Sequence, residues 1–336
     1  MKKITVFLAL LMLIIVVVCV SCGESFGHIA DTTPALSNTP RKELISVHDY
    51  EVLLYATGAG ESHTGNISRY QGEELEAYTW TQKSNRSSVK KVTLFGNEYN
   101  VHYSRSMILD NYANELDRYS RVVGMTGLSI MWDSVTEKIV HYSVTPANNR
   151  DYNSPVNPNS TEEAFLDYVK KVFIGCTGIS LEGWDVRVTT YREEYGTQAG
   201  FINYSHETPE YNAQYTFVFY KTIGGIERND AMYITVTNVG EIVQLRAINY
   251  EKAFEPFGDV VINRTKVEEA LLAAFQQEFG GRVTSEHIAE LCLVVKDDVL
   301  WAKATIEYST GRAKGGVIYV VKVAELKSEE FSDQLQ

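Results

Sequence analysis

Asn159 to Gly175 reads NSTEEAFLDYVKKVFIG, and Thr265 to Gly281 reads TKVEEALLAAFQQEFGG. At a constant offset of 106 residues, Glu162, Glu163, Ala164, Leu166, Phe173 and Gly175 meet Glu268, Glu269, Ala270, Leu272, Phe279 and Gly281. Each copy predicts an amphipathic helix. Asn159 and Thr265 are good N-caps, because their side-chain oxygens can accept from free N–H groups of the first turn. Glu162 and Glu268 follow three places on, where a carboxylate reaches back to the cap and suits the helix dipole. Phe165, Tyr168, Val169 and Val172 then recur at helical spacing, as do Val267, Leu271, Ala274 and Phe275. Gly175 and the pair Gly280-Gly281 suit left-handed helix ends. A dinucleotide-binding helix carries its glycines at the start, so the paired glutamates read as capping chemistry rather than catalysis.

Working outward, each helix pattern is followed by strand patterns. Trp184, Val186 and Val188 alternate with Asp185, Arg187 and Thr189, and denser strands follow at Tyr215–Tyr220, Tyr233–Val236 and Ile242–Ile248. After the second copy come strands near Leu291–Val295, Leu300–Tyr308 and Val317–Val321. Helix followed by antiparallel meander predicts an α+β fold of repeated units, each one helix packed on an antiparallel sheet. Residues 159–255 and 262–325 are the two units. Residues 42–147 form a mostly-β region before them, and Ala147 to Asn159, rich in asparagine and proline, is the linker. Within 42–147, Val92–Phe95 and Glu98–Tyr103 flank the Gly96-Asn97 hairpin signal. Leu128–Trp132 pairs with Ile139–Val144, and Met107–Tyr119 reads as a short helix or an irregular crossover.

The N-terminus gives the location. Met1-Lys2-Lys3 is a basic start, and Ile4 to Val20 runs without a charge into Val18-Cys19-Val20-Ser21-Cys22-Gly23. This is the pattern of a secretory signal. Its end resembles the lipobox of bacterial lipoproteins, with Ser21 and Gly23 fitting and Cys19 departing from the usual Leu or Val. The resemblance implies a signal peptide over 1–21 and a diacylglyceryl group on Cys22 as the mature N-terminus. The competing reading is an uncleaved membrane helix of about 17 residues. Either way the rest of the chain is expected outside the cytoplasm. Residues 22–41 read as a flexible tether, whose reach of roughly 25 Å lifts the folded part off the lipid.

The net charge of −12 argues against a nucleic-acid partner. Ser87-Ser88-Val89-Lys90-Lys91 spells S-x-x-K twice, but the serines precede a strand rather than open a helix, and neither SDN nor KTG follows. The one G-x-S-x-G, Gly23-Glu24-Ser25-Phe26-Gly27, lies in the tether and is no strand-to-helix elbow, and H-E-x-x-H is absent from the sequence. His102 and His141 alternate within hairpin strands, where they face one another or stand singly. Glu193-Glu194 and Asp297-Asp298 read as solvated turns, since calcium needs more converging oxygens. Cys176 and Cys292 form either a bridge between the two units or two free thiols, Cys292 as a small core residue. Tyr191, Tyr195, Tyr204, Tyr211 and Tyr215 cluster around the long loop Gly196–Asn212, a candidate recognition surface.

The E-E-A…L…F-x-G pattern, followed by strands and the turn Val239 to Leu245 (VGEIVQL), resembles PepSY-type domains of Gram-positive envelope proteins over Asn159 to Val323. The resemblance implies a small secreted or tethered helix-on-sheet module that acts on envelope peptidases, with no catalytic residues of its own. The expectation is a lipid-anchored extracytoplasmic protein at the cell membrane that binds a protein, peptide or envelope component. It needs no catalytic residue, metal or cofactor. The alternative is an envelope hydrolase, for which the serine–lysine pair or a histidine site must converge. A solute-binding lipoprotein is disfavoured, because two lobes of alternating β and α are not read here.

Overall fold

The computed structural model describes residues 42–76, 78–81, 88–95, 97–123, 126–144, 162–192, 213–237 and 241–328. All of them lie in one unit, Lys42–Gln336. The chain runs β1 (Lys42–Ser46), β2 (Val52–Thr57), β3 (Tyr78–Thr81), β4 (Val89–Leu94), β5 (Asn97–Leu109), β6 (Leu116–Val123), β7 (Thr126–Asp133) and β8 (Ile139–Val144). Helix α1 (Glu162–Thr177) precedes β9 (Asp185–Arg192), β10 (Ala213–Tyr220), β11 (Thr222–Ile223), β12 (Ile226–Arg228), β13 (Met232–Thr237) and β14 (Ile242–Arg246). The short α2 (Glu251–Phe254) and the longer α3 (Arg264–Phe279) lead to β15 (Ser285–Lys296), β16 (Val299–Ser309) and β17 (Lys314–Ser328).

These strands make two sheets. One has ten strands, in the order β3-β5-β6-β7-β8-β14-β13-β10-β9 with β4 also on β5. The other has seven, in the order β1-β17-β16-β15-β12-β11 with β2 also on β17. Pairing is antiparallel except between β12 and β15, which run parallel. The hairpin β11–β12 therefore leaves the ten-stranded sheet after β10, adds to the seven-stranded one, and returns as β13.

Side-chain alternation decides which faces are buried. On β16, Leu300, Ala302, Ala304, Ile306 and Tyr308 are buried, and Trp301, Lys303, Thr305 and Glu307 between them face the other side. Helix α3 covers the buried face with Val267, Leu271 and Phe275, and Phe275 and Phe279 lie 5.3 and 6.0 Å from the Tyr308 ring. Helix α1 packs Val169 and Phe173 on the ten-stranded sheet, with Phe173 5.1 Å from Phe219. No helix among the described residues is long and apolar enough to cross a membrane.

The expected α+β fold of repeated helix-on-sheet units is overturned. The described residues are mostly β, 52% strand against 17% helix, in two large sheets. Both helices form where the sequence placed them, yet the strands around α1 do not make a unit of their own. β14 pairs with β8, so one continuous sheet runs across both sides of α1. The β11–β12 excursion meanwhile gives strands from the same stretch to the other sheet.

Met107–Tyr119 is neither helix nor crossover but the ends of β5 and β6 and the turn between them. The strand alternation was masked because Ser106 and Asp117 point inward. Ser106 Oγ donates to Asp117 Oδ1 at 2.6 Å and lies 2.7 Å from the Tyr103 hydroxyl.

The helix ends also differ in detail. Asn263, not Thr265, caps α3, its side chain accepting from the Lys266 N–H at 3.1 Å, and Glu268 pairs with Arg264 at 2.7 Å. Gly280 keeps a right-handed conformation. Helix α1 runs past Gly175 and stops at Gly178, whose φ is +70° and whose N–H donates to the Ile174 carbonyl. Asn159 lies outside the described residues.

Two ionic seams join the sheets. At one, the β5–β6 turn meets the end of β15: buried Lys296 pairs with Asp110 and with Glu73 at 3.3 Å, and Asn111 Nδ2 donates to the Val295 carbonyl at 2.6 Å. At the other, buried Arg228 on β12 forks onto buried Asp230 and reaches Glu251 at 3.3 Å. Its guanidinium lies between the rings of Trp184 and Phe254, at 5.6 and 4.5 Å. Fully engaged charges of this kind hold geometry rather than invite ligands.

Candidate functional site

The residues Thr57 to Asn66 read TGAGESHTGN, and they form the loop that leaves β2. Three glycines let it turn sharply: Gly60 and Gly65 have φ of +86° and +83°, values that side-chain-bearing residues rarely adopt. The Gly58 N–H donates to the Gly316 carbonyl at 2.9 Å, which ties the loop to the start of β17. Between this loop and the ends of β15, β16 and β17 lies an open cleft of about 560 Å³. Glu61, His287, Glu307, Tyr308 and Lys314 bring chemistry to it, Ser285, Thr305 and Ser309 bring hydroxyls, and Gly316 leaves its part of the floor bare.

The loop is fastened from behind. Glu278, on the last turn of α3, stands where the apolar face predicts a hydrophobic residue, and its side chain is wholly buried. One carboxylate oxygen accepts from the backbone N–H groups of Thr64 and Gly65 and lies 2.5 Å from His63 Nδ1. Burial alone pushes this carboxyl up. The Thr64 and Gly65 donors and the nearby His63 outweigh burial and hold it below the usual carboxylate range. Glu278 Oε2 and the Tyr319 hydroxyl are buried without a hydrogen-bond partner, and burial with Glu278 nearby raises the Tyr319 pKa.

Glu61 is the opposite case. Its carboxylate reaches over the floor so closely that a methyl group on Gly315 would collide with Glu61 Oε1 and with the Tyr308 hydroxyl. Among the described residues it has neither a hydrogen-bond donor nor a cation, and partial burial raises its pKa. Across the cleft, His287 Nε2 and Glu307 Oε2 are 3.8 Å apart and mostly exposed, a pairing of little strength in water. The arrangement can present hydrogen-bond acceptors and one uncompensated negative charge to a ligand. It does not assemble a nucleophile beside a base.

The residues singled out from the sequence fall elsewhere. Cys22, Ser87, Glu193, Glu194, Tyr195, Tyr204 and Tyr211 lie outside the described residues. Ser88 is exposed ahead of β4, its carbonyl accepting from the Tyr103 N–H, and Lys91 pairs with Glu98 at 2.7 Å. Lys90 stands over the Trp132 ring at 4.7 Å.

The two histidines do not face one another. His102 is exposed opposite Ser120, while His141 lies between Met131 and Arg246, with two strands, β6 and β7, separating β5 from β8. Burial and the charges of Arg118 and Arg246 lower the His141 pKa to about 4. Among the described residues, no group of three or more His, Cys, Asp or Glu is placed to hold a metal ion.

Cys176 on α1 and Cys292 on β15 sit against different sheets as free thiols. Burial raises both, Cys292 to about 12. Asp297 and Asp298 form the tight β15–β16 turn with φ of 51° and 62°, and Asp298 pairs with Lys42 at 2.6 Å.

Sequence reasoning passed over Glu61, His63, Glu278, His287 and Glu307. Two signals were present: three glycines with a Glu and a His inside ten residues, and a charge at the fourth apolar position of a helix. No family model matches the chain, and neither a curated protein nor a solved structure matches it.

Proposed function

We propose that this chain is a lipid-anchored extracytoplasmic binding protein, without catalysis of its own, that engages a protein, peptide or envelope component through the Glu61 cleft. The observation that carries the reading is the cleft, open to solvent, into which Glu61 extends a charge that nothing among the described residues answers. The leader and its lipobox-like end support anchoring at Cys22. The sequence pattern of 159–323 resembles PepSY-type domains, although the helix-on-sheet unit it implies is not what forms, and it makes an envelope peptidase the partner class to test first.

Two measurements test the two halves. Metabolic labelling with a fatty acid should mark the wild-type chain and be lost in Cys22→Ser; labelling that survives the substitution refutes the anchor. For the cleft, a photo-crosslinking side chain at Ser309 in the full-length chain, in its own envelope, should capture a partner that Gly316→Trp abolishes. Capture unaffected by filling the cleft removes it as the contact. Covalent labelling of Ser88 by a serine-reactive probe would favour the envelope hydrolase instead.

A further inference from the structure

Glu61 lacks what other buried or half-buried carboxylates among the described residues have. Glu278 has two N–H donors and a histidine, Asp230 has Arg228, and Glu325 has Lys322 and Lys327. Water solvates Glu61 incompletely, because the loop and the Tyr308 edge close around it, and a carboxylate so placed gains by meeting a cation. Glu307, in the same lining but on the face of β16 away from Tyr308, is a second negative charge. Lys314, the cationic side chain of the lining, is exposed at the rim and pairs with neither acid. The bare floor at Gly316, where an added Cβ would meet nothing within 4 Å, leaves room for a long, thin chain.

From these placements we propose that the cleft takes a ligand bearing a positively charged nitrogen, a primary ammonium or guanidinium on a flexible stem such as a basic peptide side chain, with Glu61 as its counter-ion. The assignment rests on reading the cleft as a binding site. The charged nitrogen meets Glu61, and the hydroxyls of Ser285 and Ser309 are within the same lining.

The test uses the full-length chain in detergent micelles and four capped tripeptides, acetyl-Ala-X-Ala-amide, with X as Lys, Arg, norleucine or Glu. Calorimetric titration should show the Lys and Arg peptides binding about tenfold or more tighter than the norleucine peptide, with affinity falling as salt rises. Glu61→Gln should erase that preference while its unfolding transition stays at or above the wild-type temperature. A norleucine peptide that binds equally, a Glu peptide that binds best, or a Lys preference that survives Glu61→Gln each overturns the cation assignment. If a peptide of the wrong charge binds and Gly316→Trp abolishes it, the cleft stands as a binding site and only the ligand class falls. If none of the four binds, the cation assignment is refuted, and the crosslinking experiment decides the cleft separately.

Discussion

Two glutamates on the same loop contact pull the protein's pH dependence in opposite directions. Glu61 has a folded pKa raised by burial, so the folded state holds its proton longer than the unfolded chain does. Its ionisation therefore costs stability as pH rises above about 4.5, the ordinary value. Glu61→Gln should raise the melting temperature at neutral pH while removing the cation preference, a trade expected where a site is held ready at the expense of the fold. Glu278 has a lowered folded pKa. Its contribution is complete above about 4.5 and is lost as pH falls through the depressed value. Glu278→Ala strands the Thr64 and Gly65 donors and should cost about 3 kcal/mol at neutral pH, read from urea unfolding, with the difference from wild type shrinking in acid. In the sequence, Glu278 was visible as a charge on an apolar stripe. Its partners were not, because the N–H of Gly65 lies 213 residues away and carries no side-chain signature.

At the scale of elements, the helices and hairpins were legible because their signals are local. The periodicity of Val267, Leu271 and Phe275 survives in α3, and the β4–β5 hairpin forms next to the Gly96-Asn97 signal, with Asn97 already in β5 opposite Leu94. What was not legible is pairing between distant strands. Nothing near Ile226–Arg228 announces that this stretch leaves its neighbours and runs parallel to β15, where Arg228 stands opposite Leu293. The hairpin that achieves it turns on Gly224 and Gly225, with φ of 57° and 76°. A Cβ on Gly224 would lie 2.6 Å from Ile262 Cβ and 3.0 Å from its carbonyl oxygen, so the substitution meets both backbone strain and a backbone obstacle. Gly224→Ala should destabilise by about 2 kcal/mol or more, whereas Gly183→Ala, also at positive φ but in open space, should cost about 1 kcal/mol. Chemical denaturation of the two variants side by side separates collision from strain.

For the whole molecule, the two sheets are coupled through charge as well as through the core. Arg228 and Asp230 are 5% and 1% exposed, so removing one leaves the other in a poorly solvated place. Asp230→Ala should cost about 3 kcal/mol, with Glu251 answering only part of the stranded charge, and the Arg228→Met, Asp230→Ala pair should cost less than the sum. A double-mutant cycle in urea measures that difference, and strict additivity would mean the seam does not couple the sheets. The sequence suggested modules strung in series. The structure instead interleaves them, as β8 meeting β14 shows.

That interleaving has a temporal side. β17 is the strand on which β16, β1 and β2 all converge, with Lys42 opposite Ser328. A polypeptide emerging N-terminus first from a ribosome or a translocation channel exposes β1 and β2 long before their partner exists. The seven-stranded sheet is consequently the last part to crystallise out of the nascent coil, and until then its earliest segments travel unpaired. Such non-local closure makes for slow assembly.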